Sequence, residues 1–398
     1  MQTNDILLNF AGASRAALQE QVNAWDSFID ALIAEGAGVP PVQPPAPPPI
    51  GNYDITSEAQ FQDALANGAP GAVYSIKADL PAMKVTGARP AGRITVRDTR
   101  SHVVEGIDLI NCGNITFDGL TLAPKGAVVP TGGAIPSLLT ADGASSDIDV
   151  INCDFLGALN APADFMAWDL SKWQAQQTSA VIALGNRVNL RGNAACGIYH
   201  GFILQGTQCS MDDNRVAGHS GDAFRGCADN STYRKLWSTS AMLINLNHPD
   251  AFQMFRTNAL LDNILVEDCI FMEWVGSSDL RLIPASVQII GAHNGPYDNL
   301  TFRRIVAGTS SLNAYHVNNC ATSVHDRISV WAVPGPKGGV SKFRVPANAS
   351  VSQVYLDKTV TGGAPATGAP DYSKLPAFQS AQALRGNVMP DISAIMGW

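Results

Sequence analysis

Short apolar segments that recur along the chain constrain its fold more than any other feature of the sequence. Between about residues 92 and 356, segments with apolar residues at alternate positions lead into Asn, Asp or Gly, as in 107–112, 148–153, 188–193, 264–269 and 300–304. Ile107, Ile148 and Val188, which begin three of them, are 41 and 40 residues apart. Such self-similarity is typical of a solenoid, because one coil cannot bury its apolar face alone, whereas coils stacked about 4.8 Å apart bury a continuous column.

The repeated segments predict an all-β fold, a right-handed parallel β-helix with a short N-terminal α-helical segment. An Asn at a tight coil corner tolerates left-handed backbone, and a Cys can line the interior. Four cysteines follow a residue of this corner type: Asn precedes Cys112, Cys153 and Cys320, and Asp precedes Cys269. An antiparallel sandwich or propeller would need hairpin signals between alternating strands, and Asn67-Gly68 and Asn294-Gly295 lack paired flanking strands.

The start of the repetitive region carries a capping signal. Ser57 and Gln60 form a capping box before a short predicted helix that ends at Asn67-Gly68, and a strand is predicted over 72–76. A helix followed by a strand resembles the N-terminal cap of right-handed parallel β-helix proteins, the pectate-lyase-like superfamily. Such a cap covers the sheet edge that the first coil would otherwise expose.

The sequence divides into four parts. Residues 1–38 are predicted to be a helical anchor or oligomerisation segment, residues 39–51 a Pro-rich linker, residues 52–360 the β-helix, and residues 361–398 a loop-rich tail. The linker is expected to form a polyproline II rod roughly 30 Å long. Within the β-helix, residues 157–180 are expected to form a long irregular excursion.

Apolar residues at heptad spacing identify the anchor. They recur at intervals of 4, 3, 4 and 3 residues, which is the seam of a coiled coil: Leu18, Val22, Trp25, Ile29 and Leu32. An amphipathic helix that lies on its own protein would show the same pattern over so few heptads. Both interpretations remain open from the sequence.

Composition excludes several partners. A formal charge of −8 without a Lys/Arg cluster argues against nucleic-acid binding. No apolar stretch approaches the roughly 20 residues of a membrane-spanning helix, and the N-terminus lacks the features of a secretory signal peptide. The odd number of cysteines, 7, predicts no complete disulfide framework, and no spacing calls for a metal.

A doubled motif is the main candidate for chemistry. His219 and Asp222 precede one Ala-Phe dipeptide, and His248 and Asp250 precede another, 28 residues later. This spacing is about one coil, so the two aspartates are expected to stack and to serve as an acid/base pair, with His248 as a general base. The pair could also bind Ca²⁺, and Asp212-Asp213 or Glu267-Asp268 could supplement either site. A purely structural role, as Asx-turns at coil corners, is the alternative.

Two short matches extend the resemblance to β-helix proteins that handle polysaccharides, including pectate lyases, polygalacturonases, alginate epimerases and phage tailspikes. Asn247-His248-Pro249-Asp250 resembles the Asp-Pro-His-Asp motif of alginate epimerases, with a changed order and without the first acid. Gly218-His219-Ser220-Gly221 resembles the Gly-His-Gly motif of polygalacturonases, whose other motifs are not found. The resemblance therefore implies a fold and a polysaccharide ligand, but no mechanism.

Aromatic residues near irregular segments are candidates for carbohydrate binding, because sugars stack their apolar faces on aromatic rings. Any one of them could equally be a core residue. The candidates are Trp168, Trp173, Trp237, Trp274 and Tyr297.

Two functional hypotheses follow. In the first, the chain is a spike attached to a virion or phage-like particle, as in the phage tailspikes that it resembles. The β-helix would bind capsular or other cell-surface polysaccharide of the host. The N-terminus would contact other particle proteins, and the chain would form a homo-oligomer such as a trimer. In the second, it is a polysaccharide lyase, glycoside hydrolase or epimerase that uses the Asp/His motif. No cofactor is expected, although Ca²⁺ could bind.

Overall fold

The computed structural model describes residues 52–127, 135–244, 248–255, 259–272, 288–292, 295–309, 313–332, 342–356 and 361–362. The predicted anchor, including Leu18, Val22, Trp25, Ile29 and Leu32, lies outside the described residues, as do the linker and the tail after Gly362. No helix of the described part is long and apolar enough to cross a membrane.

The chain coils through three parallel faces in repeated order. Face A comprises β1 (Asn52–Ile55), β2 (Val73–Ile76), β4 (Ile94–Arg97), β6 (Gly113–Asp118), β9 (Ser146–Ile151), β12 (Asn186–Arg191), β15 (Ser210–Asp212), β18 (Ser231–Arg234), β27 (Ser350–Ser352) and the first halves of β21 (Leu261–Met272), β23 (Tyr297–Thr309) and β25 (Ser323–Ala332).

Face B comprises the first parts of β3 (Leu80–Thr86) and β5 (Val103–Ile110), then β7 (Thr121–Leu122), β10 (Asp154–Leu156), β13 (Ala194–Ile198), β16 (Arg215–His219), β19 (Trp237–Ala241), the second halves of β21, β23 and β25, and β28 (Tyr355–Leu356).

Face C comprises the second parts of β3 and β5, then β8 (Ser137–Ala141), β11 (Ser179–Ala183), β14 (Phe202–Leu204), β17 (Phe224–Gly226), β20 (Asp250–Gln253), β22 (Gln288–Ala292), β24 (Tyr315–Val317), β26 (Lys342–Arg344) and β29 (Thr361–Gly362). Strand pairings between successive coils are parallel, which confirms the predicted β-helix. β29 extends this face into the predicted tail.

Residues with left-handed backbone form the corners between the faces, as the Asn positions predict. Asn152 (φ 53°) turns face A into face B, whereas Asn111 (φ 53°) turns face C into face A. The Asn-Cys dipeptides therefore mark two different corners, although their sequences are alike. All seven cysteines are buried and free, so they belong to the interior rather than to a redox site.

The N-terminal cap forms as predicted. Helix α1 (Glu58–Asn67) begins after Ser57, whose side chain accepts a hydrogen bond from the backbone N–H of Gln60 at 3.4 Å. Phe61 and Leu65 on its inner side are fully buried. The ring of Phe61 stacks on that of Phe117 in the interior column, and this contact attaches the cap to the coils.

The excursion at residues 157–180 is helical, which corrects the prediction of an irregular loop. It contains α2 (Ala161–Asp164), a 3₁₀ turn (Phe165–Ala167) and α3 (Leu170–Ala175), and Asp169 caps α3 by accepting from the N–H of Lys172 at 2.8 Å. These turns pack on the outside of face B in a second apolar cluster. Two glycines of face B with left-handed backbone, Gly197 and Gly218, leave room for the aromatic rings of the excursion.

Replacing Gly218 should reveal how tightly the excursion docks. A Cβ there would lie 2.4 Å from the Phe165 ring, and φ is 71°. Gly218→Ala should therefore lower the free energy of unfolding by about 1 kcal/mol for the left-handed backbone and by about 1–3 kcal/mol more for overpacking. Gly87→Ala is the matched control, since Gly87 has φ 73° and open space around it. Equal losses in urea unfolding would contradict the docked arrangement.

Candidate functional site

The longer connections lead from face B into face C. The helical excursion lies between β10 and β11, and residues 242–249 lie between β19 and β20. Binding residues are enriched in connections held on a rigid scaffold. The edge where face C begins is therefore a candidate binding site.

The two motif aspartates stack on this edge, as their spacing predicts. Phe224 of β17 pairs with Phe252 of β20, and this register places Asp222 beside Asp250. The Asp222 carboxylate accepts a hydrogen bond from the backbone N–H of Asp250 at 3.1 Å. The interaction is made between coils rather than within an Asx-turn.

A basic or amide side chain three residues further on holds each aspartate. Arg225 donates its Nε–H to Asp222, and Gln253 donates from Nε2 to Asp250 at 2.9 Å. Asp222 is 1% exposed, and burial raises the pKa of its carboxyl while the Arg225 cation opposes that shift. Asp222 therefore orients Arg225, and Asp250 orients Gln253. Both of these side chains are partly exposed on face C.

His219 does not join the site, which corrects the sequence prediction. It ends β16 on face B, is 1% exposed, and its Nδ1 lies 2.6 Å from the carbonyl oxygen of Gly221. Burial lowers the pKa of this imidazole to about 4, so it is neutral near pH 7. A carbonyl only accepts, so Nδ1 carries the proton and the ring acts as a structural donor.

His200 takes the place predicted for His219 and was missed. Its Nδ1 accepts a hydrogen bond from the backbone N–H of Asp222 at 2.8 Å, so the proton of the neutral ring sits on Nε2. Burial, and then the Arg225 cation, lowers the pKa of His200 to about 3. The signal was present in the sequence, since His200 stands two residues before Phe202 as Asp222 and Asp250 stand before their phenylalanines.

Tyr199 adds an aromatic surface beside these groups. Its ring meets that of His200 edge-on at a centroid distance of 4.3 Å, and it is partly exposed. His248, the predicted general base, is exposed two residues before Asp250. The face-C cluster, defined as Tyr199, His200, Arg225, Asp250 and Gln253, therefore offers an aromatic ring among hydrogen-bonding groups.

A groove of about 460 Å³ continues the polar surface of face C over the preceding coils. The backbone carbonyl of Thr178, which lines the groove, accepts a hydrogen bond from the N–H of Tyr199 at 2.7 Å, so one end of the groove adjoins the backbone of Tyr199. Lys125 and Glu105 form an ion pair of 3.3 Å within it. Its other polar lining side chains are Lys84, Asp108 and Ser137.

Most aromatic candidates are core residues rather than binding platforms. Trp168 and Trp173 are 5% and 1% exposed in the cluster that attaches the excursion to face B. Tyr297 is 1% exposed and donates its hydroxyl to the carbonyl of Met254 at 2.5 Å. Trp237 is partly buried against the same cluster as Trp168, and Trp274 lies outside the described residues.

The acidic pairs proposed to supplement the site are elsewhere. Asp212 and Glu267 lie on face A and pair with arginines, Asp212 with Arg234 at 3.0 Å and Glu267 with Arg303 at 2.5 Å. Within the described ranges, no three His, Cys, Asp or Glu side chains gather as metal ligands. The Ca²⁺ expectation stays a prediction.

Known proteins resemble the chain at the level of solved structures only. The sequence matches no protein-family model, and the comparison with curated proteins finds no match. A PL6 family alginate lyase is 11% identical with a TM-score of 0.37, over 82% of this chain and 56% of that one. PfbA, a surface adhesin of Streptococcus pneumoniae, is 10% identical with a TM-score of 0.37, over 78% of this chain and 91% of PfbA.

Pectin methylesterase PemA from Erwinia chrysanthemi is 12% identical with a TM-score of 0.32, over 86% of this chain and 99% of that one. The chain spans little more than half the length of the alginate lyase described above. The assignment of this chain as a parallel β-helix rests on its own strand register.

His219 should make folding sensitive to mild acid. Its folded pKa of about 4 lies below the ordinary 6.5, so the stability it contributes above pH 6.5 is lost as the pH falls toward 4. Between pH 7 and pH 5 this loss should be about 2 kcal/mol. His219→Gln should remove that part of the pH dependence in urea unfolding, whereas His248→Gln, at an exposed residue, should keep it. An unchanged pH dependence in His219→Gln would contradict the buried neutral ring.

Proposed function

We propose that the protein binds polysaccharide along face C, with the face-C cluster as its centre. The observation that carries this proposal is the partly exposed ring of Tyr199 beside the Nε2–H of His200 and the side chains of Arg225 and Gln253. A sugar ring needs both an apolar surface for its C–H face and donors for its oxygens. The groove that adjoins Tyr199 gives a chain of sugars room to continue.

The groups that orient this surface are already in place without a ligand. Asp222 holds Arg225, Asp250 holds Gln253, and the backbone of Asp222 fixes the tautomer of His200. Preorganised donors lose little conformational entropy on binding, so they favour recognition of one arrangement of hydroxyls. This rigidity suits a receptor that must distinguish one surface polysaccharide from another.

In this proposal the β-helix is the receptor-binding part of a spike on a virion or phage-like particle. Support for the attachment comes from the sequence alone: a heptad segment precedes a Pro-rich linker, which would hold the β-helix away from the particle. The spike would act as a homo-oligomer, such as a trimer joined through the heptad segment.

A polysaccharide lyase, hydrolase or epimerase is the second candidate. The positions of Asp222 and Asp250 on adjacent coils, with His200 and the exposed His248 nearby, favour it. Paired carboxylates in one site can separate into acid and base, because burial raises the pKa of one of them. The internal ion pair of Asp222 with Arg225 argues for a positioning role instead.

Tyr199→Ala should weaken binding of the recognised capsular polysaccharide or exopolysaccharide about 10-fold, because a stacked ring contributes about 1 kcal/mol beyond its buried area. Titration of purified protein measures this change. Tyr53→Ala is the control, since Tyr53 is an exposed tyrosine on the first coil of face A. Equal affinity of Tyr199→Ala and the wild type would refute the face-C site.

The same samples separate the two candidates. An enzyme releases new reducing ends or unsaturated products, and Asp250→Asn should then abolish turnover while it retains binding. A spike that only binds releases neither product. Turnover by the wild type would favour the enzyme, and turnover that survives in Asp250→Asn would exclude Asp250 as its acid or base.

Deleting residues 1–50 tests the attachment. The remaining chain should keep the circular dichroism of a β-helix and its affinity for polysaccharide, but it should no longer be incorporated into particles. Incorporation is measured by immunoblotting purified particles from cells that express either form. Unaltered incorporation of the shortened chain would contradict the anchoring role of the N-terminal segment.

A further inference from the structure

Charged side chains alternate in sign along one column of face A. The strand register places these residues on successive coils in the order Arg97, Asp118, Ile151, Arg191, Asp212, Arg234, Glu267, Arg303 and Asp326. Neighbouring coils are about 4.8 Å apart, so opposite charges on adjacent coils attract. Ile151 is the one apolar residue in this charge ladder.

The interruption at Ile151 leaves Arg191 without an ion pair. Asp212, its neighbour on the other side, pairs with Arg234 at 3.0 Å. Within the described part of the chain, no carboxylate lies within ion-pair distance of Arg191, whose side chain is exposed. An exposed cation that has no carboxylate partner among the described residues is available to a ligand.

A groove opens on face A where the ladder is interrupted. Its volume is about 440 Å³, and it is lined by Asp149, Ile151, Asn189, Arg191, Ser210, Met211, Asp212, Thr232 and Arg234. Hydrogen bonds preorganise part of the lining, because Asn189 donates to Asp149 at 2.9 Å and accepts from Ser210 at 2.8 Å. The Oδ1 atom of Asp212 is buried and has no hydrogen-bond partner.

The groove is lined by two aspartates and two arginines, and Arg93, outside the lining, pairs with one of the aspartates. Asp149 pairs with Arg93 and Asp212 with Arg234, so Arg191 adds an uncompensated positive charge, while the whole chain carries −8. A local cation on an acidic protein attracts an anionic group, and the planar guanidinium binds carboxylate or sulfate through two parallel hydrogen bonds. Because the Asp212 Oδ1 is buried and its Oδ2 pairs with Arg234, the group left for a ligand is the exposed guanidinium of Arg191.

We propose that the face-A groove is a second saccharide site, separate from the face-C cluster, which binds a sugar unit that carries a carboxylate or sulfate. Arg191 binds the oxyanion. The choice of a saccharide rests on the proposed function, whereas the demand for an oxyanion rests on the interrupted ladder. Two sites on different faces would let one β-helix bind a polysaccharide at two points.

Ile151→Asp tests the site by completing the ladder. The new carboxylate, one coil from Arg191, would pair with it and exclude an anionic ligand. Ile151→Asn is the matched control, since it has the same shape as Asp without the charge. The probes are oligogalacturonate, sulfated dextran oligomers and neutral dextran oligomers, titrated calorimetrically at low and at 0.5 M salt.

We expect Ile151→Asp and Arg191→Gln to lower the affinity for one acidic probe at least 10-fold, and Ile151→Asn to change it less than 3-fold. The affected probe, galacturonate or sulfated dextran, identifies the oxyanion. Wild-type affinity in Ile151→Asp, an equal loss in Ile151→Asn, or tighter binding of neutral dextran would overturn the face-A site.

The face-C variant makes the two proposals separable. Tyr199→Ala should leave the affinity of the acidic probe for face A unchanged. If Tyr199→Ala removes all binding of that probe and Ile151→Asp has no effect, the face-A site is wrong and polysaccharide binding through face C stands. If Ile151→Asp acts and Tyr199→Ala affects no polysaccharide, face A is a binding site and the face-C proposal fails.

Discussion

Parallel stacking in register is the constraint on which the rest of this structure depends. Each residue lies next to its equivalent one coil away, so one side-chain type is selected repeatedly for the same column. Where the column is interior, the result is a continuous stack of apolar groups, such as Phe202 on Phe224 at a centroid distance of 6.0 Å. Where it is exterior, the same rule selects complementary charges, as in Asp212 and Arg234.

Left-handed corner residues maintain this register. The side-chain hydrogen bonds that join successive coils differ from one corner to another. At the corner between faces A and B, the residues that follow the left-handed Gly192 and Asp213 are joined, because the buried side chain of Asn193 donates to that of Asn214 at 2.8 Å. At the corner between faces C and A, the exposed amides of Asn230, Asn263 and Asn299 form a second ladder with 3.0 Å hydrogen bonds. Because an amide both donates and accepts, it can join coils on both sides, which a Gly at the same corner cannot do.

The repeated pattern was sufficient to predict the fold and the stacking of Asp222 on Asp250, because both depend only on the spacing between coils. The role of His219 depended on a finer feature. The left-handed backbone at Gly218, one residue earlier, comes where the chain leaves face B, so the similar order of residues in the two motif copies did not imply similar directions. His200 aligns with the two aspartates, but Gly201 follows it where an Ala follows each Asp, so the Asp-Ala-Phe pattern does not include it.

Misassignment of the aromatic residues has a related physical cause. Residues 157–180 lack the alternation of a strand, and this absence predicts a loop. Their short helices instead present Phe165, Trp168 and Trp173 to small residues of face B, where Gly197 and Gly218 leave room for the rings. A tryptophan is buried when the surface that it packs against has small residues that leave room for its ring. The sequence pattern does not show which surface that will be.

The use of aromatic rings for packing determines what chemistry remains for recognition. In the described coils, stacks such as Phe302, Tyr315 and Phe343 fill the interior, and the excursion tryptophans cover face B. The grooves on faces A and C are lined mainly by hydrogen-bonding and charged side chains, and Tyr199 adds an aromatic ring to the face-C cluster. A ligand must therefore be selected mainly by the positions of its oxygens and charges, and rigid register is what holds their partners at constant spacing.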